Sequence, residues 1–179
     1  DGRVLNENVL KVDSFLNHQV DVRLIDQIGQ TFFEHFRNRG INKILTVEAS
    51  GISVACSVAR CFHVPMVFAR KNQSLVLNND LFTAEVFSFT KQQKLQIFVR
   101  KQFLEPCDRV LLVDDFLARG EALKGLADIV KQSGATLIGA GIVIEKVFQD
   151  GGKRAREFGL EVYSLVQIAS LDKNQIQFC

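Results

Sequence analysis

The sequence lacks several features that mark whole classes of protein. It has no CxxC motif and no two close pairs of cysteines, which argues against a zinc site and a disulfide framework. No apolar run approaches the length of a membrane span, and no signal-peptide pattern opens the chain. We therefore expect a cytoplasmic protein whose thiols are reduced and mostly buried; they are Cys56, Cys61, Cys107 and Cys179.

An excess of charge of either sign is also missing. The 22 basic and 20 acidic residues leave a net charge of +2, which favours neither a nucleic acid nor an anionic membrane as a partner. The 179 residues, 47% hydrophobic and 23% charged, suit one compact domain with a sizeable core. Because the chain contains no repeat, linker or low-complexity segment, we expect a single domain over 1–179.

The remaining pattern alternates helices and strands. A stripe formed by Val22, Ile25, Gly29, Phe32 and Phe36 predicts a first helix that ends at Gly40. Periodicity and β-branched runs predict strands within 43–51, 64–71, 95–104, 110–115, 136–146 and 160–170, and helices at 52–62, 123–134 and around 154–158. Turn-forming residues at 78–80 predict a hairpin or a long flexible loop within 72–90. Strands that are apolar on both faces predict an α/β fold with a mainly parallel sheet flanked by helices.

Charged residues and small-residue turns follow four of the predicted strands. The carboxyl ends of parallel strands share one edge of the sheet, and ligands bind at that edge. Acids, bases and small-residue loops together favour a site for a polyanion with a metal. The four strand ends are Glu48-Ala49-Ser50-Gly51-Ile52, Ala69-Arg70-Lys71, Asp114-Asp115 and Glu145-Lys146.

The stretch VLLVDDFLARGEAL at 110–123 is the most informative of these ends. Gly120 lets the backbone approach a ligand closely, and the amides that open the next helix form a cradle for a phosphate. The chain contains no GxxxxGK[ST] motif, and no GxGxxG follows the first strand. Asp114 and Asp115 suit the vicinal hydroxyls of a ribose, or a Mg²⁺ held through water and substrate oxygens. A structural cap of the loop is the alternative for both carboxylates.

This stretch resembles the phosphoribosyl-pyrophosphate (PRPP) motif of type I phosphoribosyltransferases. EASGI at 48–52 is similar to the pyrophosphate loop of that fold, and ARK at 69–71 to its basic pair. Longer strings over nearly the whole chain resemble bacterial xanthine phosphoribosyltransferases: VLKVDSFLNHQVD, FARK, SFTKQ, VDDFLARGEA and GIVIEKVF. The resemblance implies a homodimeric enzyme of purine salvage that joins xanthine to PRPP, with Mg²⁺, and releases pyrophosphate.

The resemblance also implies a role for each site residue. Leu10 and Asn17 would contact the purine and Lys146 its 6-oxo group, beneath a hood formed by residues 1–20. Asp114 and Asp115 would hold the ribose hydroxyls, and Mg²⁺ would come with PRPP rather than on a protein side chain. The 5′-phosphate would lie on Ala118, Arg119, Gly120, Glu121 and Ala122, and the pyrophosphate on Ala49, Ser50, Gly51, Arg70 and Lys71. A lid over 72–90 would exclude water.

Two departures from the family pattern lie in the phosphate loop. Many phosphoribosyltransferases have hydroxyl side chains there, whereas this chain has Arg119 and Ala122, so a hydrogen bond to phosphate is lost, while Arg119 either adds charge or faces solvent. Hypoxanthine-guanine relatives carry an aspartate at the position of Ala118, so no general base is assigned.

Three alternatives remain open. A solvated strand end is the alternative for Arg70 and Lys71. The base is xanthine or another 6-oxopurine such as guanine or hypoxanthine, and adenine is disfavoured because the ammonium of Lys146 has only donors. A non-catalytic, PRPP-sensing regulator is the rival outside the enzyme class.

Overall fold

The computed structural model describes residues 2–71, 80–88, 92–172 and 175–179. It opens with a small antiparallel hairpin of β1 (Arg3–Asn6) and β2 (Val9–Lys11), which forms a sheet of its own. A five-residue π-helical turn, Asp13–Asn17, leads from this hairpin to the first long helix.

Within the described residues, the main sheet has eight strands and is parallel at its centre. The elements follow in chain order: α1 (Val22–Phe36), β3 (Lys43–Val47), α2 (Gly51–Phe62), β4 (Met66–Lys71), β5 (Leu81–Ser88), β6 (Gln93–Arg100), β7 (Arg109–Leu117), α3 (Glu121–Ser133), β8 (Thr136–Lys146), α4 (Gly151–Glu157), β9 (Val162–Asp172) and β10 (Gln175–Phe178). The strand order is β10-β9-β8-β7-β3-β4-β6-β5. The five central strands β4, β3, β7, β8 and β9 pair with their neighbours in parallel. At one edge β6 and β5 pair antiparallel, and at the other edge β10 does. The predicted α/β fold is confirmed.

Strand β7 shows why the sheet needs a layer on each face. Leu111 and Val113 belong to one buried cluster with α1 and α2, whereas Val110 and Leu112 belong to a second with α3 and the β5–β6 pair. Successive side chains of a strand point to opposite faces, so an uninterrupted apolar run buries both. The same alternation sends the two aspartates that follow to opposite faces of the sheet.

Three predictions about local structure were wrong. Val22 is 66% exposed because it opens α1, directly after the cap that Asp21 provides, ahead of the turns that pack on the sheet. Strand β7 does not end at the aspartates but continues to Leu117, because its pairing with β8 extends to Glu145. The thiols are not mostly buried: Cys61 is half-buried and the other three are exposed, with Cys56 on the outer side of α2.

The predicted lid, 72–90, falls largely on residues that the structure does not describe. Residues 72–79 and 89–90 lie outside the described part. Leu81–Ser88 is strand β5, which pairs with the following strand β6 in a continuous antiparallel register. The described hairpin is therefore centred further along the chain than the 78–80 turn. Its Val86 is buried against α3, so this half of the segment is anchored in the core.

Within the described ranges, no helix combines the length and the apolar character that crossing a membrane requires.

Candidate active site

Asp114 and Asp115 occupy the carboxyl end of the sheet, as the sequence predicts. Both are buried, at 9% and 5% exposure. The backbone amide of Asp115 donates a hydrogen bond to Oδ1 of Asp114 at 2.9 Å, and the hydroxyl of Ser50 donates to Oδ1 of Asp115 at 3.0 Å. One aspartate is thus joined to the loop after β3, and both carboxylates are held in place before a substrate binds.

Burial governs the protonation of Asp114. Loss of hydration raises its pKa well above the ordinary range, and the negative charge of Asp115 raises it further, whereas the cation of Lys71 acts in the opposite direction. Two adjacent buried carboxylates are therefore costly in the free protein. Hydroxyl donors or a cation at this position would relieve that cost, which is a typical property of a ligand site.

The turn after β3 packs tightly against the first aspartate. The peptide bond between Glu48 and Ala49 is cis, and α2 begins at Gly51. A Cβ atom at Gly51 would lie 2.8 Å from Oδ1 of Asp114 and would collide with the hydroxyl of Thr46. Glycine at position 51 is therefore required by close packing. The predicted pyrophosphate loop, Ala49, Ser50 and Gly51, lies beside the aspartate pair.

Glu48 connects that turn to the end of β4. Its Oε1 accepts a hydrogen bond from the backbone amide of Lys71 at 2.6 Å, and its Oε2 lies 3.9 Å from Nε of Arg70. The side chain of Arg70 remains 67% exposed, so the ion pair leaves it available to an anion. Glu48, whose role the sequence left undecided, thus positions the basic pair next to the loop at 49–51.

A cavity of about 200 Å³ lies over the loop between β7 and α3. Gly120 has φ +83°, a left-handed conformation that favours glycine, and it caps the start of α3. All five residues of the predicted phosphate loop line the cavity: Ala118, Arg119, Gly120, Glu121 and Ala122. Asp114 and Phe87 line it as well, so the carboxylate and the loop face one common space.

Lys146 lies at the end of β8 and contacts the N-terminal hairpin. Its ammonium donates to the carbonyl of Asn8 at 2.7 Å and lies 5.2 Å from the ring centre of Phe116. Nε2 of Gln149 donates to Oδ1 of Asn8 at 3.2 Å, so two side chains hold the turn between β1 and β2. Burial lowers the pKa of Lys146.

The other two predicted purine contacts are placed differently. Leu10 is on β2, half-buried, two residues beyond the turn that Lys146 holds, and it packs against the core on the α1 side. Asn17 ends the π-helical turn and is exposed. In the part of the chain that the structure describes, no hydrogen bond joins Asn17 to Lys146. Leu10 thus belongs to the hairpin that Lys146 holds, whereas the purine contact of Asn17 stays a prediction.

Several residues around the site were missed by sequence reasoning. Phe87 lines the cavity over the 118–122 loop, and alternation along an edge strand gives no sign of which face meets a ligand. Asn8 and Gln149 lack a signal altogether, because their pairing depends on a contact between distant segments. Gly151 carries a weak signal, the Gly-Gly pair that opens α4.

The side-chain oxygens of Asp114, Asp115 and Ser50 lie together at this edge of the sheet. Among the described residues, no three His, Cys, Asp or Glu side chains converge closely enough to hold a metal ion. Two carboxylates suit a hard cation that keeps most of its ligands from water or substrate. The residues therefore fit a Mg²⁺ ion.

Comparison with known proteins agrees with this geometry. The family model for the phosphoribosyl transferase domain matches residues 11–160, and the chain therefore belongs to that family. A protein of Ruminiclostridium cellulolyticum named xanthine phosphoribosyltransferase is 52% identical over 99% of this chain and 94% of its own length. A protein of Oceanobacillus iheyensis with the same name is 53% identical, over 99% of this chain and 92% of its own length.

Solved structures show the same fold at low identity. An adenine phosphoribosyltransferase of Giardia lamblia has a TM-score of 0.76 at 22% identity, covering 89% of this chain and 86% of its own. The enzyme of Saccharomyces cerevisiae has a TM-score of 0.72 at 23% identity, covering 91% and 92%. At this identity the similarity establishes the fold alone, which is that of type I phosphoribosyltransferases.

Proposed function

We propose that the protein transfers the 5-phosphoribosyl group of PRPP to xanthine, which gives xanthosine 5′-monophosphate and pyrophosphate. The observation that carries the proposal is a shared edge of the sheet. There the loop at 49–51 contacts both aspartates, and Asp114 in turn lines one cavity together with the 118–122 loop. The chain is also about half identical, over almost its full length, to enzymes named for this reaction.

The residues support a reaction that needs no protein nucleophile. As the bond between the anomeric carbon and pyrophosphate breaks, positive charge develops on the ribosyl ring. The base nitrogen then bonds to the anomeric carbon and gives its proton to water, since no general base is assigned. Asp114 and Asp115 would bind the two ribose hydroxyls and stabilise that positive charge. Arg70, Lys71 and the amides at 49–51 would stabilise the departing pyrophosphate. The chain's contribution is therefore positioning and electrostatics.

Mg²⁺ belongs to the proposal as part of the PRPP complex. When bound, it neutralises negative charge on the diphosphate. The side chains that would lie beside it are Asp114 and Asp115, the oxygen donors of this edge of the sheet. Exclusion of water by the 72–90 segment is part of the same proposal, since water would otherwise hydrolyse the activated ribosyl centre.

Recognition of the base is assigned to the hairpin and the end of β8. An ammonium has only donors, so Lys146 favours an oxo group over an amino group at the purine 6-position. Leu10 would supply an apolar contact, and Asn17, which both donates and accepts, would serve a further oxo or ring NH group. Guanine and hypoxanthine share the 6-oxo group and are the second candidates as bases.

Assembly as a homodimer and a cytoplasmic location complete the proposal, and both rest on family membership. Light scattering coupled to size-exclusion chromatography measures the first directly. A mass near twice the 20.1 kDa of the chain is expected, whereas a monomeric mass with full activity would contradict it.

An assay with PRPP, Mg²⁺ and a panel of purines tests the function. Xanthine is expected to give product with the highest kcat/KM, guanine and hypoxanthine lower values, and adenine the lowest. Product from none of the four bases would contradict the enzyme and favour a PRPP-sensing regulator, which binds PRPP without turnover. A higher kcat/KM for adenine than for xanthine would contradict the proposed role of Lys146.

A further inference from the structure

The backbone at the start of α4 is in direct contact with the backbone of the 118–120 loop. The amide of Gly151 donates to the carbonyl of Ala118 at 3.1 Å. A Cβ at Gly151 would lie 2.6 Å from the amide nitrogen of Gly120 and would collide with the carbonyl oxygen of Ala118. A Cβ at Gly120 would in turn lie 3.2 Å from Cα of Gly151. The two glycines thus allow an approach that no side chain would permit.

An ion pair between the buried Glu145 and the partly exposed Arg156 holds α4 in that position. Glu145 is 1% exposed, and both of its oxygens accept hydrogen bonds from the guanidinium of Arg156 at 2.7 Å. The hydroxyl of Ser164 and the amide of Gln167 also donate to it, at 2.6 and 3.2 Å. This carboxylate lies in the β8 strand and is fully engaged, so the helix that carries Arg156 is fixed to the sheet with defined geometry.

Glycine at position 152 leaves room for the Glu145–Arg156 ion pair while the neighbouring Gly151 contacts the loop. A Cβ at Gly152 would overlap Oε1 of Glu145 and lie 2.7 Å from Nη1 of Arg156. The contacts therefore run without a gap from Glu145 to Arg156, through the first turn of α4, to the loop at 118–120. Of the residues along this path, the four outside the loop do not line the cavity; they are Glu145, Gly151, Gly152 and Arg156.

We propose that Gly151, held in place by the Glu145–Arg156 pair, is a positioning residue that fixes the phosphate loop in its binding conformation. The proposal builds on the proposed function, because it assigns the 5′-phosphate of PRPP to this loop. Displacement of the loop weakens binding of the phosphate end and leaves base recognition at Lys146 intact. A residue that merely stabilises the fold would lower the active fraction without changing either KM.

Gly151→Ala tests the proposal, because the added methyl group must push the loop aside. The KM for PRPP is expected to rise roughly 10- to 100-fold, as small misplacements of a binding group do, while the KM for xanthine stays within about twofold. The Kd for ribose 5-phosphate, measured by calorimetry, is expected to rise in parallel. Lys153→Ala, an exposed change on the same helix, should keep wild-type values.

Arg156→Lys provides a second test that does not depend on the folding of Gly151→Ala. It keeps the charge but loses the two-point contact with Glu145, so a smaller rise in the PRPP KM, about three- to tenfold, is expected. An unchanged KM for PRPP in a folded Gly151→Ala protein, or in Arg156→Lys if the first does not fold, would overturn the proposal.

Failure of the proposed function would look different. A wild-type protein that turns over no purine would contradict the enzyme, yet the ribose 5-phosphate Kd of the same variants would still report on the loop. Unchanged ribose 5-phosphate affinity in the variants, beside an active wild-type enzyme, would overturn the positioning role alone.

Discussion

The ammonium of Lys146 donates to the backbone carbonyl of Asn8 at 2.7 Å, although 138 positions separate the two residues. A carbonyl oxygen of the protein thus occupies the kind of acceptor position that a 6-oxo group of a purine would present. The contact ties the hairpin of β1 and β2 to the end of β8, and with it the half-buried Leu10. The Lys146 side chain therefore serves both the folded hairpin and the proposed base site.

Lys146→Met is expected to weaken binding of the base. Loss of a hydrogen bond from a charged donor costs about 1.5–3 kcal/mol, so the KM for xanthine should rise roughly 10- to 100-fold. The KM for PRPP should change less than about threefold, since the loops at 49–51 and 118–122, to which PRPP is proposed to bind, are untouched. Steady-state kinetics with each substrate varied in turn provides the measurement. Lys131→Met, on the exposed side of α3, is the matched control; an equal rise in both KM values would argue for general damage to the fold.

Asp115→Asn is expected to abolish most turnover with little effect on stability. The amide keeps an oxygen for the hydroxyl of Ser50. It loses the negative charge that is proposed to stabilise the ribosyl ring. A fall in kcat of about 10²–10³-fold is the expected size for loss of one electrostatic group. Thermal unfolding should give a Tm within about 2 °C of wild type. If the variant is inactive because it is unfolded, the carboxylate is a structural cap; exposed Asp128→Asn is the control.

Asp114→Asn is expected to stabilise the substrate-free protein, in a pH-dependent way. The folded state raises the pKa of Asp114, through burial and through Asp115, so the charged form is disfavoured in the fold. The wild-type protein therefore has its full stability below the pKa that Asp114 has in the unfolded chain. It loses part of that stability as the pH rises through the raised pKa of the folded state. Without PRPP or Mg²⁺, the Tm gain should be about 3 °C or more at pH 8 and near zero at pH 4. An equal gain at both values would mean that the buried charge is not its cause.

Thr46→Val is expected to raise stability without ligand. The Thr46 hydroxyl is buried, and among the described residues it has no hydrogen-bond partner. Valine has nearly the same shape and removes an unpaired polar group, so a gain of about 1 kcal/mol, or 2–4 °C in Tm, should follow. Thr136→Val, at the exposed start of β8, should give a smaller change. A lower Tm for Thr46→Val would show that the hydroxyl makes a stabilising bond.

The sequence predicted best where an element carries its own signal. The apolar run ending in Asp114 and Asp115 fixes a strand, and Gly120 with the spacing behind it fixes the start of α3. Because the ends of parallel strands share one edge, these residues were expected beside Ser50, and the hydrogen bond between Ser50 and Asp115 agrees.

Predictions that depend on long-range geometry were less accurate. Val22 is exposed because it lies at the start of α1, before the turns that pack on the sheet. Cys56 is exposed because it lies on the side of α2 that faces away from the sheet. The hairpin formed by β5 and β6 lies beyond the turn signal at 78–80, because cross-strand pairing rather than turn composition sets its register. The Asn8–Gln149 pair could not be read from either segment alone.

The hydrogen bond between Lys146 and Asn8 also has a consequence for the order of folding during protein synthesis. The hairpin emerges from the ribosome early in translation, whereas its anchor emerges only after most of the sheet has been made. The contact closes a loop of 138 positions, and this requires that the strands between Asn8 and Lys146 have already docked. The contact therefore forms late in folding. A nascent chain that has already folded its loop at 49–51 is thus expected to lack the proposed base site until β8, which carries Lys146, is complete.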